Sequence, residues 1–118
     1  MEIRVKTENK EKIKKILSKY KKENIEYNEP HFSLKLDRQK IDKKEVIRNI
    51  LKPNKLVLVG VSESKNPSYK YVHDLYFKLG KKRIFKIPVS IKPKSLYLIT
   101  IFKIKSKIQN EAIKYYKK

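Results

Sequence analysis

The chain reads as an α+β domain: a curved antiparallel sheet of four to five strands with helices packed on one face. Three observations predict it. Apolar residues recur at helical spacing through much of the first half. After residue 55 the apolar period changes to two. The strands that follow are joined by turns too short for crossover helices, so neighbours pair antiparallel. Helices grouped ahead of strands give α+β rather than alternating α/β. The 118 residues amount to one domain.

Residues 2–6 form a short candidate strand. Thr7 can cap a helix in which Ile13, Ile16, Leu17 and Tyr20 share a face through about Lys22. Residues 23–30 are a polar connection ending in Pro30. Residues 31–38 stay ambiguous. Phe32, Leu34 and Leu36 alternate as in a strand, yet Phe32 and Leu36 also stand at i,i+4 behind Pro30 as in a short helix. The next helix start is clear. Asp42 and Glu45 form a capping-box pattern, Ile41 and Val46 hold staple positions, and Pro53 stops the helix.

The strands follow at residues 55–61, 70–79, 83–91 and 95–104. Tyr71, His73, Leu75, Phe77 and Leu79 share one face of the second of these. Gly80-Lys81-Lys82 is a hairpin turn, and Pro88 favours an edge position or a bulge. The last strand is the strongest, with Leu96, Leu98, Thr100, Phe102 and Ile104 alternating. Ser106 can cap a closing helix lined by Ile108, Ala112 and Tyr115 or Tyr116.

Composition removes several classes of function. There are no cysteines, so disulfides and thiol chemistry are excluded. Only His31 and His73 could supply imidazole to a zinc ion, and neither a metal nor another cofactor is expected. The longest apolar runs, 56–61 and 96–102, are too short to span a bilayer. The first residues read as a strand rather than a secretory signal, so a cytoplasmic protein without a membrane partner is expected. The Lys-rich helix at 10–22 has a narrow apolar stripe without Trp or Phe, which suits packing on its own sheet better than lying on lipid.

Charge is the strongest signal. Thirty-two Lys and Arg face 12 Asp and Glu, for a net charge of +20. Residues 1–45 hold 14 bases and 9 acids, whereas residues 46–118 hold 18 bases and 3 acids. Such density is self-repelling, and a polyanion would relieve it with release of counterions. Lys and Ile richness also fits the proteome bias of an AT-rich thermophile, archaeal or viral, but that bias raises Glu with Lys. It leaves unexplained why acids nearly vanish after Glu45. Nucleic acid is therefore the expected partner. Lys70, Tyr71, Lys78, Lys81, Lys82, Arg83, Lys86, Lys103 and Lys105 would form one sheet-centred binding surface. Tyr69, Tyr71 and Tyr76, interleaved with Lys, can stack on unpaired bases or pack across strands.

A family resemblance joins this reading. His31, Ile41, Val46 and Pro53 stand at the spacing His-x9-Ile-x4-Val-x6-Pro, with Arg38 between the first two and the Leu96-Tyr97-Leu98-Ile99-Thr100-Ile101-Phe102 strand downstream. This resembles the RelE/BrnT-type toxin superfamily, in an uncharacterised small-domain branch, over about residues 31–104, which leaves the strand and helix of residues 1–27 as an amino-terminal extension of the common module. The branch has Arg where this chain has Lys35, and Arg-Gly-Ile where it has Gln39-Lys40-Ile41. The resemblance implies a helical 31–38, a basic concave face, RNA ahead of DNA as the nucleic acid, and an acidic antitoxin-like partner. It also implies messenger-RNA cleavage without metal, in which the RNA 2′-hydroxyl attacks the adjacent phosphate. His31 would serve as acid or base, Arg38 and Arg83 as phosphate forks, and Tyr115 as a carboxy-terminal contributor. Bland roles stand beside these: a helix-start histidine, a solvated turn arginine, a packing tyrosine. His73 reads as a core or edge histidine, and Arg48 as ordinary surface. A non-catalytic nucleic-acid-binding module and a protein-interaction domain with an acidic partner are the alternatives.

Overall fold

The computed structural model describes residues 5–80 and 83–104. The closing helix expected from Ser106 lies outside them, as do Tyr115, Lys81, Lys82 and Lys105. The order is β1 (Val5–Thr7), α1 (Lys10–Leu17), a 3-10 turn (Lys22–Asn24), β2 (Ile25–Tyr27), α2 (His31–Gln39), α3 (Lys43–Leu51), β3 (Leu56–Glu63), β4 (Tyr71–Lys78), β5 (Ile84–Ile91), β6 (Leu96–Leu98) and β7 (Phe102–Ile104). No helix among the described residues is long and apolar enough to cross a membrane.

The fold is α+β, with helices on one face of a mostly antiparallel sheet. The sheet order is β1-β3-β4-β5-β6-β2, with β7 also paired to β5. It therefore has seven strands among the described residues rather than four or five. β1 is the strand expected near residues 2–6; β2, within what reads as a polar connection, and the division of the last strand into β6 and β7 raise the number from five. β1 pairs antiparallel with β3, and β2 pairs parallel with β6, so residues 5–27 supply both outer strands and are built into the sheet. Ile13 and Leu17 of α1, Phe32 and Leu36 of α2, and Val46 and Ile50 of α3 meet Val59, Leu75, Phe77, Phe85, Ile87 and Leu98 in one core. Tyr76 and Ile84 face the other way and form a smaller cluster with Leu58 and Ile104.

Local chemistry explains most element boundaries. Thr7 pairs with Gly60 inside β1, and the Glu8 amide continues the strand with a bond to the Val59 carbonyl. The cap therefore moves from Thr7 to Asn9, whose Oδ1 accepts from the Glu11 and Lys12 amides at 2.9 and 3.2 Å. The helix ends at Leu17, short of Lys22. Asn9→Ala should cost about 1 kcal/mol in chemical denaturation.

The ambiguous 31–38 segment is helical. Phe32 and Leu36 are buried, while Leu34 is 49% exposed; a strand would have put all three on one face. The helix closes in a Schellman turn. The Ile41 amide bonds the Leu36 carbonyl, the Lys40 amide bonds the Asp37 carbonyl, and the Leu36 and Ile41 side chains are both buried. Lys40 sits in the left-handed region at φ 56 and ψ 48, where a Cβ is strained and Gly is favoured. Lys40→Gly is expected to raise stability by about 1 kcal/mol, read as an upward shift of the denaturation midpoint; a lower midpoint would contradict the strain argument.

Asp42 caps α3 through the Lys44 amide, and the helix stops before the buried Pro53 as predicted. Glu45 does not close the capping box. Its carboxylate is taken by Arg83 instead.

The single strand predicted over residues 95–104 is broken in two. β5 is an interior strand, and Pro88 lies in it. The Ile99 amide bonds the Pro88 carbonyl at 3.0 Å, so the side of Pro88 that lacks an N–H faces this last segment. Two residues of β5, Ile87 and Pro88, oppose three residues, Ile99, Thr100 and Ile101. The extra residue is a bulge that reverses the alternation. Leu96, Leu98 and Ile101 enter the main core, while Ile104 joins the opposite cluster.

Candidate nucleic-acid interface

The bulge explains where α2 puts its polar side chains. The Asn28 Nδ2 donates to the Ile99 carbonyl at 3.1 Å. The His31 Nε2 lies 3.0 Å from the Thr100 Oγ1. The Gln39 Nε2 donates to the Ile101 carbonyl at 2.9 Å, and its Oε1 accepts from the Lys103 amide at 2.7 Å. Side chains thus stand in for a neighbouring strand along a bulged edge. His31 takes part in this fastening. Arg38 lies two turns further along α2, about 10 Å by helical rise, and is exposed.

Arg83 lies at the β4–β5 hairpin. Its guanidinium makes a forked contact with Glu45 at 2.6 and 3.4 Å, tying the hairpin to α3, and lies 5.5 Å from the Phe85 ring. A fork already held by a carboxylate is not an open phosphate grip. His31, Arg38 and Arg83 thus have separate settings among the described residues, and Tyr115 lies outside them.

The predicted binding residues also divide. Lys70 and Tyr71 stand at the start of β4, while Lys78 and Arg83 stand at its far end, about 23 Å away along an eight-residue strand. Lys86 lies between these ends, near the Tyr76 and Phe102 rings at 5.9 and 5.8 Å. Lys35 approaches Phe102 from α2 at 4.6 Å. Lys103 is exposed on β7 beside Gln39. Among the described residues these charges thus spread along the length of the sheet.

The β4 start is where aromatic and basic groups gather. The 64–70 loop is folded by its own polar groups. The Ser64 amide bonds the Lys70 carbonyl, and the Asn66 Oδ1 accepts from the Ser68 amide. This loop sets Tyr69 against Tyr97 of β6, with ring centroids 6.3 Å apart and planes tilted by 45°. The Lys70 ammonium lies 5.4 Å from the Tyr71 ring centroid, and Lys92 lies 5.6 Å from that of Tyr97. Tyr71 is 42% exposed. Burial, then Tyr69 and Glu26, push the Tyr97 phenol up, so it remains a neutral hydrogen-bond donor.

Lys92-Pro93-Lys94-Ser95 turns the chain between β5 and β6, closed by the Lys92 amide on the Ser95 carbonyl. The Lys92 carbonyl accepts from the Tyr20 hydroxyl, which fastens the turn to the end of the α1 segment. The turn separates two clefts. One, about 640 Å³, lies toward Ile16, Lys19 and Asn24. The other, about 230 Å³, lies between residues 68–71 and residues 90–93.

The second cleft has a structural origin. The β4–β5 ladder ends at His73 opposite Val89. Beyond it Tyr71 and Val72 stay with Glu63 and Ser62 of β3, while Ser90 and Ile91 stay with Tyr97 and Leu96 of β6. The two strands follow different partners and a wedge opens between them. His73 lies on the helix-facing side, between Val61 and Val89.

Lys19, Lys70, Lys92 and Lys94 gather round this end, bordered by Glu26 and Glu63. The expected surface lacked Lys92, Lys94 and Tyr97. A usable signal was present: a Lys-Pro-Lys turn directly before a strand, with Tyr97 out of phase with Leu96 and Leu98. No protein-family model, no curated protein and no solved structure matches the chain.

Proposed function

We propose that this domain binds single-stranded RNA through the Tyr69–Tyr71–Tyr97 end of its sheet and the lysines around it. One observation carries the reading: three tyrosines and the ammonium groups of Lys70 and Lys92 occupy one end, with ring and charge adjacent at 5.4 and 5.6 Å. Aromatic platforms beside a basic track are what unpaired bases and their phosphates require. The net charge of +20 supplies the long-range attraction. The resemblance to RelE/BrnT-type toxins supplies the choice of RNA over DNA.

Binding is better supported than cleavage. His31 fastens the bulge to α2, and Arg83 is neutralised by Glu45, so both would have to leave existing bonds before acting on a phosphate. The test is fluorescence anisotropy with a labelled 12-nucleotide oligouridine between about 50 and 200 mM salt. Affinity should fall steeply with salt, because each neutralised phosphate releases counterion. The reading fails if no binding occurs, or if binding is indifferent to salt.

A further inference from the structure

Resting on that reading, we propose that the wedge between the diverging ends of β4 and β5 is a pocket for one unpaired nucleobase. At about 230 Å³ the wedge is smaller than the roughly 300 Å³ at which pockets for larger ligands begin, and a single flat ring system suits it. The wedge exists because Tyr71 and Ser90 follow different partner strands, so it belongs to the strand register and not to one side-chain rotamer.

The lining has the chemistry of a base site. Tyr69 and Tyr71 line one side and supply aromatic rings there. Tyr69 is already braced by Tyr97, so its ring needs little ordering on binding. Ser68 and Ser90 offer hydroxyls that can both donate and accept, which suits the mixed edges of a base. Ser90 is 3% exposed, so it forms a deep part of the lining. Lys70, just before β4, and Lys92, just after β5, stand at the mouth, where the phosphates before and after an inserted nucleotide would pass. Aromatic walls, polar depth and a cationic rim together exclude a paired base, whose edge and faces are both occupied. The pocket therefore makes the domain selective for single strands.

The test compares three labelled 12-mers at one salt concentration: oligouridine, its abasic ribose-phosphate analogue, and a 12-base-pair RNA duplex. Oligouridine should bind about 10-fold more tightly than the abasic strand, the value of one stacked base. It should also bind more tightly than the duplex. Tyr71→Ala should abolish the preference over the abasic strand, while Tyr71→Phe, which keeps the ring, should retain it. Circular dichroism melts of both variants confirm that each is folded. If oligouridine and the abasic strand bind equally, or the duplex binds best, the pocket is overturned while salt-sensitive RNA binding stands. If Tyr71→Ala keeps the full preference, the base sits elsewhere and the pocket is again overturned. If no strand binds, the pocket and the RNA-binding reading fall together.

Discussion

Lys70→Glu, Lys92→Glu and Lys94→Glu combined should weaken oligouridine binding about 100-fold near 0.1 M salt. Each site changes by two charges. At ammonium–phosphate distances on a solvated surface such a change is worth about 1 kcal/mol, so three sites give about 3 kcal/mol, or two decades in affinity. The salt slope should flatten by about 2, since about 0.7 of a counterion per phosphate is no longer released. All three side chains are exposed, so the fold should be unaffected. The one structural bond nearby uses the Lys92 carbonyl, which the substitution retains. The decisive control is Lys44→Glu, Lys52→Glu and Lys78→Glu, also exposed and away from the tyrosine cluster. It changes net charge by the same amount and so perturbs the general field equally. Anisotropy titrations across salt should show it losing less than 10-fold. An equal loss in the two triple variants would mean that total charge, and not this end of the sheet, binds the RNA.

What could be read from the chain followed the range of the interaction. α3 was legible from end to end because its signals are local: the Asp42 cap, the Ile41 and Val46 staple, the Pro53 stop. β2 was illegible because Ile25 is its one buried residue, and its partner is β6, seventy residues away. A three-residue parallel strand leaves no period to detect. The break between β6 and β7 has its cause in another strand. Pro88 raised the expectation of a bulge, but nothing local to residues 95–104 said that the bulge would fall opposite it, at Ile99–Thr100–Ile101. The candidate site followed the same rule. Lys70 and Tyr71 were visible as neighbours in sequence. Their meeting with Lys92 and Tyr97 depends on strand order. So does the separation of Lys78 and Arg83 from that group, because charge counts carry no information about which end of a strand a lysine occupies.

Gln39 is the side chain whose loss should cost most among those that fasten the bulge. It alone satisfies two backbone groups of the bulged edge, the Ile101 carbonyl and the Lys103 amide, and it also donates to the Lys35 carbonyl on its own helix. The Ile101 side chain is fully buried, so a shifted backbone there would disturb the core as well. Gln39→Leu keeps the approximate size and removes every donor and acceptor. An orphaned buried backbone group costs about 1–3 kcal/mol. Because Lys103 is exposed, water can reach its amide, and the total expected is about 2–3 kcal/mol rather than twice the single value. His31→Ala should cost under about 1 kcal/mol, since its contact joins two side chains at an exposed position and leaves no backbone group bare. Urea denaturation gives both numbers, and hydrogen exchange supplies the local check. In the parent the Lys103 amide should be protected, and in Gln39→Leu that protection should fall further than that of the Leu75 amide in the sheet interior. If Gln39→Leu costs less than His31→Ala, or the Lys103 amide exchanges as slowly as before, then the α2 side chains do not replace a strand, and the bulged edge is held by its pairing with β5 alone.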